Sequence, residues 1–421
     1  MNSRLPLPRT DQEQDSGEAG IGIEAGSENG IENAIEAATE SLAAALAQSA
    51  VARDRAGGHA AAERALIRQS GLLGLVIPRA FGGLGADWPT LYRTVRRLAQ
   101  ADSALAHVFG FHHLQIAGVL FYGDAAQQQR LLGQTVREQL FWANALNPLD
   151  RRLIASPVEG GWRLDGTKSF ASGSVGSDRL TVMAVTAEAA EGAPGVLIGS
   201  LPTRSPGISV SEDWDGFGQR QTDSGTVQFT GAFLPANDVL QAPSAKPTVR
   251  QTFRTLVSQL IMTNLYLGIA IGAFEAARAF TRNASRPWFA SGVASAAEDP
   301  HIQRRYGDLW LYIRAATPLA DLAAVSLAEA LDRGEAVTAA ERGVTAIAVA
   351  EAKVLAHRAA IEISSQLFEL TGARATSASL GLDRFWRNAR VHTLHDPVDY
   401  KLCEIGRHTL GGGWPEPTPY S

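Results

Sequence analysis

The order of residue types predicts an α+β chain in three successive parts. These are an N-terminal helical domain over 35–140, a central β domain, barrel or sandwich, over 141–245, and a C-terminal helical bundle over 246–410. Three observations carry this. Alanine-rich text with apolar residues at helical spacing occupies both flanks. From Phe141 to about Val239, β-branched residues become frequent and turn residues recur roughly every 8–12 positions. Beyond Lys246, the segments 260–278 and 344–370 are apolar on more than one face, as in helices buried in a bundle or at a subunit interface.

Residues 1–34 are rich in Gly, Glu, Ser and Asn and too poor in apolar surface to offset their ordering entropy, so a disordered tail is expected there, and a second tail at 411–421. Helical periodicity starts at about Ile35 with Ala38, Leu42, Ala45 and Leu46. Gly57-Gly58 interrupts it before a second helix over 60–70. Pro78 and Gly82-Gly83 mark a turn-rich connector, and Pro89 suits the first turn of the next helix. Helical text then runs to about Gln139, with a break at Gly123-Asp124. In the β region, Asp165-Gly166 is a hairpin signal, Leu180–Thr186 and Gly195–Leu201 read as strands, and Pro206-Gly207 and Asp215-Gly216 read as turns.

Of the 421 residues, 45% are hydrophobic and 19% charged, typical of a globular chain with a sizeable core. A net charge of -5 and a pI near 6.0 disfavour nucleic acid or an anionic membrane as partner. The single cysteine, Cys403, rules out an intrachain disulfide and is expected to be a small buried side chain. No apolar run approaches the roughly 18 residues of a membrane span. Arg4 and Arg9 are not followed by a signal-peptide core, so a cytoplasmic protein is expected. No His/Cys/carboxylate cluster suggests a metal, and no Gly-x-Gly-x-x-Gly follows a strand, so no nicotinamide-binding motif is present.

Five segments carry the chemistry: Ala106-His-Val-Phe-Gly-Phe-His-His113, Phe141-Trp-Ala-Asn-Ala145, Asp165-Gly-Thr-Lys-Ser-Phe-Ala-Ser-Gly173, Asp213-Trp-Asp-Gly-Phe-Gly-Gln-Arg-Gln-Thr-Asp-Ser-Gly225 and the closing stretch Asp383–Lys401. Together they resemble the acyl-CoA dehydrogenase superfamily over about residues 35–410. The match is to its oxygen-using branch, the two-component flavin monooxygenases, and within that to the dibenzothiophene monooxygenases. The glutamate base of the dehydrogenases is missing, and Leu394-His395-Asp396-Pro397 stands in its place. The resemblance implies the acyl-CoA dehydrogenase-like fold with a C-terminal four-helix bundle. It also implies FMN, delivered reduced as FMNH2 by a separate NAD(P)H:flavin reductase, with O2 as co-substrate and a C4a-hydroperoxyflavin as the oxygenating species.

The resemblance also assigns roles. Ser172 and Phe170 lie on the hairpin that meets the flavin ring, Trp214 is a flat wall beside it, and Asn144 reaches flavin or substrate. His395 supplies a proton to the peroxide or hydrogen-bonds it, as histidine can near neutral pH. His107 joins Ser172 and His395 as a catalytic candidate. Phe111, where relatives carry tyrosine, lines the substrate pocket with His112 and His392. Arg286 and Trp288, with Ala373 and Arg374 in place of a glycine-rich loop, hold the phosphate end; guanidinium suits the dianionic end of FMN. The expected reaction is S-oxygenation of a small apolar organosulfur compound to sulfoxide and sulfone by a homotetramer. N-hydroxylation or oxygenation of an aromatic carbon are alternatives within the branch; an acyl-CoA dehydrogenase with Asp396 as base lies outside it.

Overall fold

A computed structural model describes residues 28–186, 195–243 and 245–421. The expected tail lies outside the described residues up to position 27. From there the expectation is corrected, because α1 (Glu28–Ala56) starts seven residues before Ile35, with Ile31 and Ile35 buried against the helical core. After Gly57-Gly58 come α2 (Ala61–Gln69), the connector, α3 (Trp88–Ala101), α4 (Ser103–Tyr122) and α5 (Ala125–Glu138). Three aspartates fix the starts of these helices by accepting orphan backbone N–H groups: Asp87 before α3, Asp102 before α4 and Asp124 in a capping box before α5. The break expected at Gly123-Asp124 is therefore a cap.

The β region holds β1 (Trp142–Ala145), β2 (Ile154–Val158), β3 (Gly161–Lys168), β4 (Arg179–Thr186), β5 (Val196–Pro202), β6 (Ile208–Val210), β7 (Val227–Pro235) and β8 (Val239–Gln241). They form one sheet in the order β6-β7-β3-β2-β4-β5-β8, with β1 pairing parallel to β4. The sheet curls on itself, since Leu234 of β7 packs on Gly199 of β5 although three strands separate them. The enclosed face is a second core of Leu164, Leu180, Val182, Leu197, Phe229 and their neighbours. β4 is buried along its whole length, because Met183 on its other face packs on the helices. The Asp165-Gly166 expectation is corrected. The β2–β3 turn is at Glu159-Gly160, and Asp165-Gly166 forms a bulge inside β3. Gly166 has φ 129° and a β-carbon added to it would run into the Arg152 carbonyl, so no side chain fits there.

The last part is built on α6 (Val249–Asn283), α7 (Pro300–Asp332) and α8 (Ala339–Thr371), followed by α9 (Asp383–Thr393) and α10 (Val398–Thr409), which packs on α8. Thr248 and Thr338 start α6 and α8 with capping boxes. The segment 411–421 docks: Trp414 stacks on His408 with ring centroids 4.5 Å apart, and Arg342 donates to the Ser421 carbonyl. Two expectations fail here. Cys403 is exposed, because α10 turns Lys401 inward, paired to Glu404, and so places Cys403 on the outer face. By length and composition α4, α6 and α7 could each cross a membrane; an averaged stretch tolerates His107, His112, His113 and Gln115, which break up the apolar run of α4. Within the fold the apolar stretches of α4 and α6 are 94% and 89% buried, whereas that of α7 is only 33% buried.

Candidate active site

The site forms where α4, β1, the segment 169–173 after β3, the loop 211–226 and α9 converge. On α4, His107 and Phe111 are four residues apart and so share a face; their rings stack with centroids 4.0 Å apart. The His392 ring, from α9, lies 4.7 Å from that of His107. His112 points elsewhere. Its Nε2 meets the Leu73 carbonyl at 2.9 Å and its Nδ1 accepts from the Trp142 N–H at 3.2 Å, so both nitrogens are committed to the junction of α4 with β1.

The segment that follows β3 supplies a second wall. Phe170 holds a left-handed φ of 56°, uncommon for a bulky residue, which leaves its ring exposed and edge-on to Trp214 at 6.0 Å. Ser172 is buried; its carbonyl accepts from the Asn144 N–H at 3.0 Å and its hydroxyl meets that of Ser224 at 2.9 Å. Ser224 continues to Thr222 at 2.7 Å, and Thr222 Oγ1 donates to the Gln219 carbonyl at 3.0 Å. Trp214 Nε1 donates to the same carbonyl at 2.8 Å.

Gln219 was not singled out from the sequence, although it lies within a quoted motif, and it ties the site together. Its backbone is left-handed (φ 52°) and its N–H donates to Asn388 Oδ1 at 2.6 Å. Its amide nitrogen donates to Ser103 Oγ at 3.1 Å and to His392 Nδ1 at 3.2 Å. Because His392 Nδ1 accepts, its ring proton sits on Nε2. One polar network thus joins His392, Gln219, Ser224, Ser172 and Asn144, with His107 and Phe111 stacked against it.

Several buried polar atoms of this cluster have no partner among the described residues: both ring nitrogens of His107, Asn144 Oδ1 and Gln219 Oε1. Orphaned buried polar atoms are rare and call for a ligand or an ordered water. Burial pushes His107 down to about 3, helped by His395, and holds His392 well below the ordinary histidine range. At neutral pH both rings are uncharged and offer one donor and one acceptor each.

His395 sits just past α9, its side chain 39% exposed. Its Nδ1 lies 3.3 Å from Asp396 Oδ1, so the proton on that nitrogen points to the carboxylate and Nε2 is left to exchange protons. Asp396 is buried and ion-paired with Lys353 of α8. Burial works to raise its carboxyl group, but His395 and Lys353 outweigh that and hold it below the usual carboxylate range.

The phosphate-end candidates lie apart from this cluster. Arg374 donates to the Ala284 carbonyl just after α6, and Ser285 Oγ donates to the Thr371 carbonyl at 3.0 Å, so the segments bearing Arg286, Trp288, Ala373 and Arg374 are laced together. All four residues are exposed. On α6, Tyr266 touches the His392 carbonyl at 2.9 Å, and Ala284 is 18 residues further on, about 27 Å along the axis. On α8, Lys353 touches Asp396 and Thr371 lies 18 residues on, the same distance. Both rulers exceed the ring-to-phosphate length of FMN.

Acid sensitivity follows from this burial. His107 and His112, pushed down to about 3 and about 4, and His113 and His392 stay neutral in the folded protein. Below about pH 6.5 the unfolded chain takes up protons that the folded one refuses, so each histidine lowers stability by up to about 1.4 kcal/mol per pH unit as pH falls. Urea midpoints should drop steeply between about pH 6.5 and 4.5, and His112→Gln should flatten that slope; equal slopes for the two proteins would contradict the assignment.

This fold and cluster define a class. The chain belongs to the acyl-CoA dehydrogenase family: residues 31–139 match its N-terminal domain and residues 260–400 its C-terminal domain. The sequence is 48% identical over 375 residues, 89% of this chain and 94% of the other, to a probable FMNH2-dependent monooxygenase, SfnC, of Pseudomonas putida. The methanesulfinate monooxygenase MsuC from Pseudomonas fluorescens superposes with a TM-score of 0.89 at 44% identity, covering 92% of this chain and 99% of that one. The dibenzothiophene monooxygenase TdsC from Paenibacillus sp. A11-2, in complex with FMN and indole, gives a TM-score of 0.89 at 41% identity, covering 92% and 100%.

Proposed function

We propose that this chain is the oxygenase component of a two-component monooxygenase that uses reduced FMN and O2 to oxygenate a small, apolar organosulfur compound. Its relatives of 41–48% identity that carry functional names are an FMNH2-dependent monooxygenase and monooxygenases of organosulfur compounds. The observation that carries the reading within the molecule is the set of orphaned buried atoms on His107, Asn144 and Gln219 beside the Phe170–Trp214 aromatic wall. A flavin ring offers a flat face to such a wall and polar edges to such atoms, so these residues fit the cofactor.

Reduced FMN supplies the two electrons that activate oxygen, and a separate NAD(P)H:flavin reductase supplies it. The chain's own residues position and protect. Trp214 and Phe170 exclude water from the ring face. Ser172 and Asn144 meet the polar edge. His395 Nε2 holds or moves the proton that oxygen transfer requires. Phe111 and His107 form the substrate wall; with phenylalanine at 111 that wall has no hydroxyl group, which suits an apolar sulfur compound. Supplying thiophenes, thioethers, sulfoxides, methanesulfinate, indole and amines together with a flavin reductase tests this. Sulfur products should dominate, and oxygenation of amines alone would overturn the organosulfur assignment.

A dehydrogenase with Asp396 as base is the second reading, and the geometry speaks against it. A carboxylate held low by an ion pair is a weak base. Asp396→Asn should leave oxygenase turnover within a few-fold of wild type. Acyl-CoA oxidation that vanishes in this variant would restore the dehydrogenase.

The Arg286 and Arg374 segments then serve the flavin phosphate of another copy, and the assembly is a homotetramer in the cytoplasm. The exposed apolar side chains of α7, Trp310, Leu311, Leu322 and Val325, are the surface we assign to that assembly. Light scattering should give four chains per particle, and a stable active monomer would rule this out.

A further inference from the structure

The bundle contains a buried charge that the mechanism above does not use. Lys353, near the middle of α8, is 1% exposed. Its ammonium group is gripped by Gln259 Oε1 of α6 and by Asp396 Oδ1. Burial lowers it to about 8 despite Asp396 beside it, so it remains charged at neutral pH. The same oxygen, Asp396 Oδ1, faces His395 Nδ1 at 3.3 Å.

Burying two ions costs several kcal/mol each, and an apolar pair of similar volume stabilises a fold as well or better. A purely structural need at this position would be met by methionine or leucine. What the pair does provide is direction. His395 stands on a short turn, Leu394–Pro397, whose backbone is held by the Leu394 N–H to the Val391 carbonyl at 3.4 Å and the His395 N–H to the His392 carbonyl at 3.0 Å, and the Tyr420 ring meets the imidazole edge-on at 5.5 Å. The ammonium, anchored to two long helices, fixes the carboxylate, and the carboxylate fixes the imidazole.

We propose that Lys353 is a positioning residue for oxygenation. It keeps Asp396 ionised and aimed at His395 Nδ1, so that His395 carries its proton there and presents Nε2 to the site. This rests on the role given to His395 above. Gln259 is the third anchor, because its amide oxygen takes a second proton of the ammonium group and stops it from rotating away.

The test compares wild type with Lys353→Met, Asp396→Asn, the double variant, His395→Ala, and Lys353→Met in the His395→Ala background. Each is supplied with a flavin reductase, FMN, NADH and dibenzothiophene. Product and hydrogen peroxide are measured together, with thermal stability and FMN affinity alongside. Lys353→Met should raise the peroxide-to-product ratio about ten-fold with FMN affinity unchanged, and Asp396→Asn should raise it a few-fold. In the His395→Ala background Lys353→Met should add nothing. If Lys353→Met alone fails to fold, the double variant, which buries no lone charge, should fold and match Asp396→Asn. A ratio within two-fold of wild type for Lys353→Met, an added effect in the His395→Ala background, or a double variant unlike Asp396→Asn would each overturn the proposal. Failure of the parent reading looks different: His395→Ala itself would keep a wild-type ratio, whatever Lys353 does.

Discussion

His395→Ala should fold, bind FMN and consume oxygen, yet form product about 10²–10⁴-fold more slowly, which is the usual contribution of a general acid or base. The missing product should appear as hydrogen peroxide. His395 is partly exposed, its side-chain hydrogen bond among the described residues is to Asp396 and its ring meets that of Tyr420 edge-on at the surface, so its loss opens no core cavity. A melting temperature near wild type together with a collapsed product yield separates proton handling from folding. A product rate within a few-fold of wild type would remove His395 from the chemistry. His392 makes a useful contrast. It is buried, held neutral and tied to Gln219, so His392→Ala should destabilise the protein as well as impair it.

Arg374→Ala should weaken FMN binding by about 1.5–3 kcal/mol, the usual worth of a hydrogen bond to a charged group, or roughly ten- to 150-fold in affinity. The side chain is exposed and donates to the Ala284 carbonyl, so the fold should tolerate the change. Calorimetry with reduced and oxidised FMN, and with FAD as control, measures it. An unchanged affinity for FMN, or a clear preference for FAD, would sink the assignment of the 372–376 turn to the phosphate.

The helical, β, helical order was legible because each part announces itself locally, through alanine-rich periodicity or through β-branched runs between turns. The misreadings came where tertiary context decided. Asp165-Gly166 has the chemistry of a hairpin turn, but pairing with β7 absorbs it as a bulge. The start of α1 was hidden because Ile31 finds its apolar partners only in the folded core. Within the site, His107, Ser172, Trp214 and His392 were visible as members of motifs. Gln219 and Lys353 were not, since their partners lie 169 and 43 residues further along the chain, in Asn388 and Asp396. A lysine set directly between Ala352 and Val354 in a helix read as buried was the available signal for the second.

In the assembly proposed above, the turns that carry Arg286 and Arg374, which follow α6 and α8 about 27 Å along the helix axes from the histidine cluster, would divide labour between copies. A chain that lacks His395 still owns a sound pair of arginines, and a chain that lacks Arg374 still owns a sound proton-handling centre. Co-expressed in one cell, these two defective alleles would assemble mixed particles in which some centres receive every part they need. Growth on an organosulfur source could then recover although neither allele supports it alone. The defects would be recessive in combination, and a library screened one variant at a time would misjudge which positions can be lost.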